Sequence, residues 1–394
     1  MNKPYAFYIN DNEVELKQYL NLSEAAWLVI EDDIKNFFNA GEKESFSGFL
    51  NRVFRNFYQS ADASINLRAM AKREQLQRLY DSAEFAAFDK DTIDLFIDKY
   101  TNLYETELKQ KAHSYPNGHG ERFRINKENL VLLRELNEAH NYDNLIGAYL
   151  KAIFEEYVTK PNYVREQIFF GDTLNKINAA IARQVKLKIE LTEKVNMMGN
   201  KKYTRKYYFS PYRVVQDKTN TFNYVIGYSE KIVDKVETDE SGITRKTSYS
   251  LEKTPACLRL SRIAKCDLQV SMGAKISKEH ANELDKMLIE RDAMFMSSEP
   301  IEIKIRFTEK GLESFKSMRY MRPQFYTVDT AEKLLYTFRC TEMQAINYFF
   351  KFGWDAFIVE PDYLSAKFKS RYERALKSYQ GMSKEEILLS EKKE

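Results

Sequence analysis

Two stretches one hundred residues apart carry the same apolar spacing. Phe49, Leu50, Val53, Phe54 and Phe57 recur as Tyr149, Leu150, Ile153, Phe154 and Tyr157, a pattern of i, i+1, i+4, i+5 and i+8 that marks one face of a helix. Upstream of each copy a second helix is predicted behind a capping residue: Ser23 opens SEAAWLVIEDDIKNFF and Asn126 opens NKENLVLLRELNEAH. Before each cap the period drops to two. Leu16, Leu20 and Leu22, with Gln18 among them, face inward and leave Lys17, Tyr19 and Asn21 outward. In the second copy Phe123 and Ile125 face inward, and Arg122 and Arg124 outward. A strand-helix-helix of this size cannot bury its own apolar faces, so the two copies are expected to close on each other. Between them, residues 64–112 read as two amphipathic helices and Ser114–Gly120 as a turn-rich linker.

Residues 161–184 read as a connecting helix, after which the pattern becomes that of strands. VKLKIELTE, RKYYFSPYRVVQ, TFNYVIGYSE, TSYSLEK and CLRLSRIAKCDL, with the turn Asp217–Asn220 between the second and third, predict a small five-stranded barrel. A helix near Ser277–Met294 and a break at Ser297–Pro300 lead to strand IEIKIRFT, helix EKGLESFKSM, strands QFYTV and LLYTFRC, helix TEMQAINYFFKFG and strand AFIVEP. That βαββαβ order is ferredoxin-like. A helix from Tyr363 to Tyr379 and a charged tail follow. The fold class is therefore α+β and multi-domain: 1–160, a duplicated helical domain with a helical insertion; 161–272, connecting helix and barrel; 273–394, helical linker and ferredoxin-like extension.

Composition sharpens this in a few places. A chain of 394 residues exceeds one ordinary core. Tyr and Phe number 26 each, enough to fill cores and leave rings for surfaces. The net charge of +3 is a weak nucleic-acid signal overall, but its distribution is uneven. Residues 1–60 carry more acids than bases, whereas Lys201–Arg213 holds Lys201, Lys202, Arg205, Lys206 and Arg213 and no acid. Cys257, Cys266 and Cys340 form no CxxC pair, which fits a reducing compartment. No run of 18 apolar residues predicts a membrane span, and Asp11 and Glu13 interrupt any signal-peptide core. The cytoplasm is the expected location.

The segment KKYTRKYYFSPYR carries the most chemistry. Unpaired nucleic acid needs cations for phosphates and flat rings for bases. Arg205, Lys206 and Arg213 offer the first; Tyr203, Tyr207, Tyr208 and Tyr212 the second. The competing reading is that strand tyrosines fill the barrel, and alternation sends about half of them to each side. Tyr224 is open to both readings. Arg259 and Arg262 lie three apart, so a regular strand points them to opposite faces unless it bends or ends there; arginine stacks on bases and forks to phosphate. A second possible nucleic-acid surface is Lys17, Tyr19, Asn21, Arg122 and Arg124, with Glu31, Asp32 and Asp33 nearby as opposing charge. Ser45 suits a phosphate at its helix N-terminus, and Asp143 repels one.

Enzymatic signals are poor. His113, His119, His140 and His280 lack partners at ligand spacing, so no metal is expected. Glu302-Ile303-Lys304 mimics the ExK of some nucleases without an identifiable partner aspartate. No glycine-rich phosphate loop occurs, and neither catalysis nor a cofactor is expected. The aromatic run Tyr348, Phe349, Phe350, Phe352, Trp354 and Phe357 is core for the most part, with the excess suiting a homodimer interface in the C-terminal domain.

The duplicated strand-helix-helix resembles the ribbon-helix-helix fold, whose ribbon reads the DNA major groove. The middle and C-terminal thirds, about residues 170–380, resemble the WYL-domain family with its C-terminal extension. LRLSRI (Leu258–Ile263) is similar to the family's FRLDRI segment, with Ser261 in place of its aspartate. Asn223-Tyr224-Val225 falls at the name triplet, keeping only the tyrosine. Pro211 in SPYRVV and the stretch FGWDAFIVEPDYL (Phe352–Leu364) match the second-strand proline and the extension. The resemblance implies an Sm-like barrel that senses nucleic acids or other ligands through a basic, aromatic face. A ribbon-helix-helix ahead of it is similar to the WYL accessory proteins of type VI-D CRISPR systems, in antiviral defence. That implies single-stranded RNA and an RNA-guided RNase effector as partners, with stimulation of the effector. The alternatives are a transcription regulator binding duplex DNA through its ribbon, and a protein-interaction scaffold.

Overall fold

The computed structural model describes residues 16–38, 45–81, 88–109, 117–140, 146–192, 204–217, 221–238, 244–250, 253–296 and 298–381. The chain packs as two compact units. The first is Met1–Ala179 with Glu190–Arg205 and Leu260–Cys266; the second is Ala180–Ile189, Lys206–Arg259 and Asp267–Glu394.

In the first unit, β1 (Leu16–Leu22) leads to α1 (Glu24–Phe37), α2 (Phe46–Tyr80) and α3 (Lys90–Lys109). Then β2 (His119–Ile125) leads to α4 (Lys127–His140), α5 (Ile146–Val158) and α6 (Asn162–Phe169). β1 and β2 pair antiparallel, Leu16 opposite Ile125 and Leu22 opposite His119. The two copies thus close on each other through one two-stranded ribbon, with Leu20, Leu22, Phe123 and Ile125 turned inward. All ten repeat positions on α2 and α5 are at most 3% exposed. The copies also cap each other. Glu155 of α5 accepts from the N–H (2.7 Å) and hydroxyl (2.9 Å) of Ser23 at the start of α1. One hundred positions earlier, Arg55 of α2 pairs with Glu128 at the start of α4 at 2.7 Å.

Two expectations change here. The predicted second helix of the first copy does not stop near residue 57 but continues to Tyr80 as one 35-residue helix, with Ala61, Ile65 and Ala69 extending its buried stripe. Phe57, Ala61, Ile65 and Ala69 recur every four residues, so the apolar stripe carries the helix on without a break. The end of the predicted Ser114–Gly120 linker is strand, because His119 and Gly120 pair with Leu22 and Asn21.

The predicted connecting helix is two, α6 and α7 (Gly171–Arg183). After α7 the order is β3 (Val185–Thr192), β4 (Thr204–Gln216), β5 (Asn223–Thr238), β6 (Thr244–Ser250), β7 (Thr254–Arg259), β8 (Ile263–Gly273) and α8 (Lys278–Arg291). The last predicted strand is therefore two, split by a 3-10 turn at Leu260–Arg262. The sheet runs β6-β5-β4-β3-β8, with β7 also on β5. The expected barrel is not closed: among the described residues no pairing joins β7 to β8. β5 is long enough to hold β4 and β7 with its first half and β6 with its second. At Gly227 a Cβ would overlap the carbonyl oxygen of Ser210 on β4, so glycine permits the close approach there.

The second unit ends in β9 (Pro300–Phe307), α9 (Glu309–Ser317), β10 (Tyr326–Val328), β11 (Leu335–Thr341), α10 (Glu342–Phe349), β12 (Ala356–Glu360) and α11 (Asp362–Tyr379). The four-stranded antiparallel sheet has the order β10-β11-β9-β12. Thr308 and Thr341 cap the two crossing helices with their hydroxyls. Phe307, Phe315, Phe338, Tyr348, Phe349 and Phe352 fill the core between helices and sheet, which accounts for most of the aromatic run. The chain is thus mixed helix and sheet in more than one domain. The charged tail after Gly381 lies outside the described residues.

Candidate nucleic-acid interface

Strand register in the second unit decides which side chains share a face. Opposed residues of an antiparallel pair point the same way, and successive residues alternate. Tyr208 lies opposite Glu230 and Ser210 opposite Tyr228 on β4 and β5. Tyr224 lies opposite Arg259, and Ile226 opposite Cys257, on β5 and β7. The register shifts between Pro211 and Arg213; this bulge puts Arg213 opposite Ile226 and so on the same face. Tyr208, Arg213, Tyr224 and Arg259, all expected in the site, therefore come together on one face. Phe209, Val225 and Asn223 point the other way and are fully buried.

The shared face is not bare. Helix α8, capped by Ser277, lies on its middle, where Leu284 packs with Ile226, Tyr228 and Met296, beside Tyr212, Val215 and Cys257. Its acids reach the basic and aromatic groups. The Tyr212 hydroxyl donates to Asp285 at 3.2 Å and Arg213 pairs with the other oxygen of Asp285 at 2.7 Å. The Tyr228 hydroxyl donates to Glu283, with the His280 ring 4.8 Å and the Lys253 ammonium 4.9 Å from the tyrosine ring. Burial, then Glu283, pushes the Tyr228 phenol up; burial, then Asp285, does the same to Tyr212. Lys186 pairs with Glu230 at 2.7 Å.

At the end of the face away from Glu230, the Arg259 guanidinium lies 3.3 Å from the centre of the Phe222 ring. Asp217 fixes this corner by accepting from the N–H groups of Thr221 (2.6 Å) and Phe222 (3.1 Å), which holds the backbone that carries the ring. Tyr224 beside it is only 7% exposed. Sequence reasoning missed Phe222, although it stands two residues before Tyr224, the spacing for one face of a strand. It also missed Glu283 and Asp285, whose role depends on where α8 lands.

The other expected residues are placed as follows. Arg205 is exposed and Lys206 half-buried at the start of β4. Arg262 is exposed in the 3-10 turn, within the first unit. Lys201, Lys202 and Tyr203 lie outside the described residues. The ribbon brings its own set together: Lys17 pairs in register with Arg124, Tyr19 with Arg122 and Asn21 with Gly120. Lys17, Tyr19, Arg122 and Arg124 are exposed on its outer face, Asn21 half-buried. Tyr19 covers Gly120, where a Cβ would collide with the phenol. Ser45 caps α2 itself, accepting from Gly48 N–H at 3.0 Å, and Asp143 lies outside the described residues.

Among the described residues no group of three His, Cys, Asp or Glu is arranged to hold a metal ion. His119 stacks on Trp27 with ring centres 3.6 Å apart, and His113 lies outside the described residues. Lys304 of the ExK-like triplet pairs with Glu360 at 2.9 Å. Burial pushes the Cys257 thiol well up and that of Cys340 to about 12, which keeps both protonated at neutral pH. No described helix is long and apolar enough to cross a membrane.

No protein-family model matches the chain, and no curated protein matches it. Among solved structures, proteasome accessory factor B/C of Arthrobacter aurescens is 12% identical, with a TM-score of 0.27 over 97% of this chain and 52% of its own. A protein described as CRISPR Cas-related is 22% identical, with a TM-score of 0.61 over 96% of this chain and 99% of its own. Along almost its whole length, this chain shares the fold of that CRISPR Cas-related protein.

Proposed function

We propose that this chain is a non-catalytic, cytoplasmic accessory protein that binds single-stranded RNA and stimulates an RNA-guided RNase effector of a CRISPR system. The observation that carries the reading is the single face on β4, β5 and β7 that gathers Arg259 stacked on Phe222 with Tyr224, Arg213 and Tyr208. A guanidinium held over a ring offers an unpaired base a stacking surface and a phosphate a fork. The WYL resemblance of this segment and the full-length likeness to a CRISPR Cas-related protein support the partner. The βαββαβ order supports a ferredoxin-like extension, and the paired β1–β2 ribbon a ribbon-helix-helix closed within one chain.

A second reading has its own support. Arg122, Arg124, Lys17 and Tyr19 sit on the outer face of a two-stranded ribbon, the element that enters a major groove in ribbon-helix-helix proteins. A duplex-DNA regulator is therefore the alternative, and a protein scaffold the third. One titration separates them, using labelled single-stranded RNA, single-stranded DNA and duplex DNA against three proteins. These are the wild type, a Lys206/Tyr208/Arg259/Arg262 alanine variant and an Arg122/Arg124 alanine variant. Wild type is expected to prefer single-stranded RNA, with affinity falling steeply as salt rises and lost in the first variant. Preference for duplex that survives in the first variant and fails in the second makes the chain a regulator. No binding to any probe leaves the scaffold.

Trp354 (82% exposed), Phe357 and Leu376 are exposed around a cavity of about 690 Å³ between β12 and α11. Exposed apolar area of this kind marks an interface, and a second copy of the chain is the proposed occupant. Light scattering at micromolar concentration is expected to give twice the monomer mass of 46.5 kDa; a monomer mass removes the dimer.

A further inference from the structure

We infer that Asp285 of α8 is an internal competitor for the RNA-binding face, holding Arg213 and Tyr212 until a phosphate takes its place. The inference rests on the single-stranded RNA reading and adds how that site is regulated. One carboxylate engages two neighbouring members of the face, one oxygen accepting from the Tyr212 hydroxyl and the other pairing with Arg213. Consecutive strand residues meet the same group only because the bulge between Pro211 and Arg213 turns both toward α8. The arrangement is what an RNA backbone would make of these residues, an anion on the guanidinium with a hydrogen bond from the phenol.

Exposure says which of the contacts under α8 can be exchanged. Leu284 is fully buried, so the helix is anchored by packing and need not leave. Tyr228 is 3% exposed, so although Glu283 is exposed the tyrosine it holds is not open to an incoming anion. By contrast, the Arg213 and Asp285 side chains are 44% and 36% exposed. Pairs this open to water contribute little, so a polyanion that brings several phosphates displaces one carboxylate at small cost. Asp285 swings to solvent, and Arg213 changes anions. Until then the aspartate cancels the charge that draws RNA in and sets the affinity below what the bare face would give.

The test compares Asp285→Asn with Glu279→Gln, an exposed acid on the same helix, so that both variants change net charge equally. Binding of a labelled single-stranded RNA is measured across a salt series, with thermal midpoints recorded for each protein. Asp285→Asn is expected to bind about three- to tenfold tighter at low salt, the gain shrinking as salt screens the carboxylate, because the same phosphate contact forms without first displacing Asp285. Glu279→Gln is expected to change little. Arg213→Gln is expected to cost less in the wild type, where Asp285 competes for the cation, than in the Asp285→Asn background, and to abolish the gain there. If wild type binds RNA but Asp285→Asn matches Glu279→Gln, or keeps its gain without Arg213, the inference is overturned and the RNA reading stands. If no variant binds RNA, both fall together. Binding that appears only in Asp285→Asn supports the competitor directly.

Discussion

Replacing Arg165 by leucine is expected to cost the first unit about 3–5 kcal/mol, because it strands a buried carboxylate. Asp33 of α1 is fully buried. It accepts from Arg165 Nε at 2.7 Å and Nη2 at 3.1 Å, and from the Tyr157 hydroxyl at 2.7 Å. Burial pushes the Asp33 carboxyl up, and Arg165 and Tyr157 pull it back only in part. Leucine removes the larger pull while leaving the burial. The pH dependence follows from that direction. A carboxyl with a raised folded pKa has its stability below the unfolded value and loses it as pH rises through the folded one. The deficit of the variant should therefore be greatest at neutral pH and shrink on acidification, as Asp33 takes a proton. Denaturant unfolding read by Trp27 in a Trp354→Phe background reports on this unit. A deficit under about 1 kcal/mol at neutral pH would mean the pair is solvated, as exposed pairs are.

The second large effect is on binding. Arg259→Ala is expected to weaken single-stranded RNA binding by about 1–3 kcal/mol, the range for losing a stacked base, or roughly 5- to 150-fold. With the guanidinium also meeting a phosphate, as proposed, the salt slope should flatten by about 0.7. Phe222→Leu should give a smaller loss with no change of slope, since the ring carries no charge and acts by holding the Arg259 guanidinium over it at 3.3 Å. Equal affinities for wild type and Arg259→Ala, with both proteins folded, would reduce the stack to packing. A loss without any change of slope would leave stacking and remove the phosphate contact.

Local pattern alone reached the duplicated strand-helix-helix, the inward positions of β1 and β2, the ten repeat positions on α2 and α5, and the βαββαβ order. Period, capping and turn chemistry act over a few residues and are written in neighbouring letters. The same reasoning put Tyr208, Arg213, Tyr224 and Arg259 among the candidates but could not say which side each takes. That answer came from pairing. One bulge after Pro211 moves Arg213 onto the face of Tyr224, and the turn at Leu260–Arg262 ends β7 just after Arg259. The open sheet in place of a barrel, the partners Phe222, Glu283 and Asp285, and the burial of Tyr224 depend likewise on contacts between residues far apart in the chain. Sequence by itself determined most of the elements and, on β1, β2, α2 and α5, which side is apolar, because those follow from short-range geometry. Only tertiary structure decided which charges meet, because a carboxylate on α8 reaches Arg213 through the fold and not through the chain.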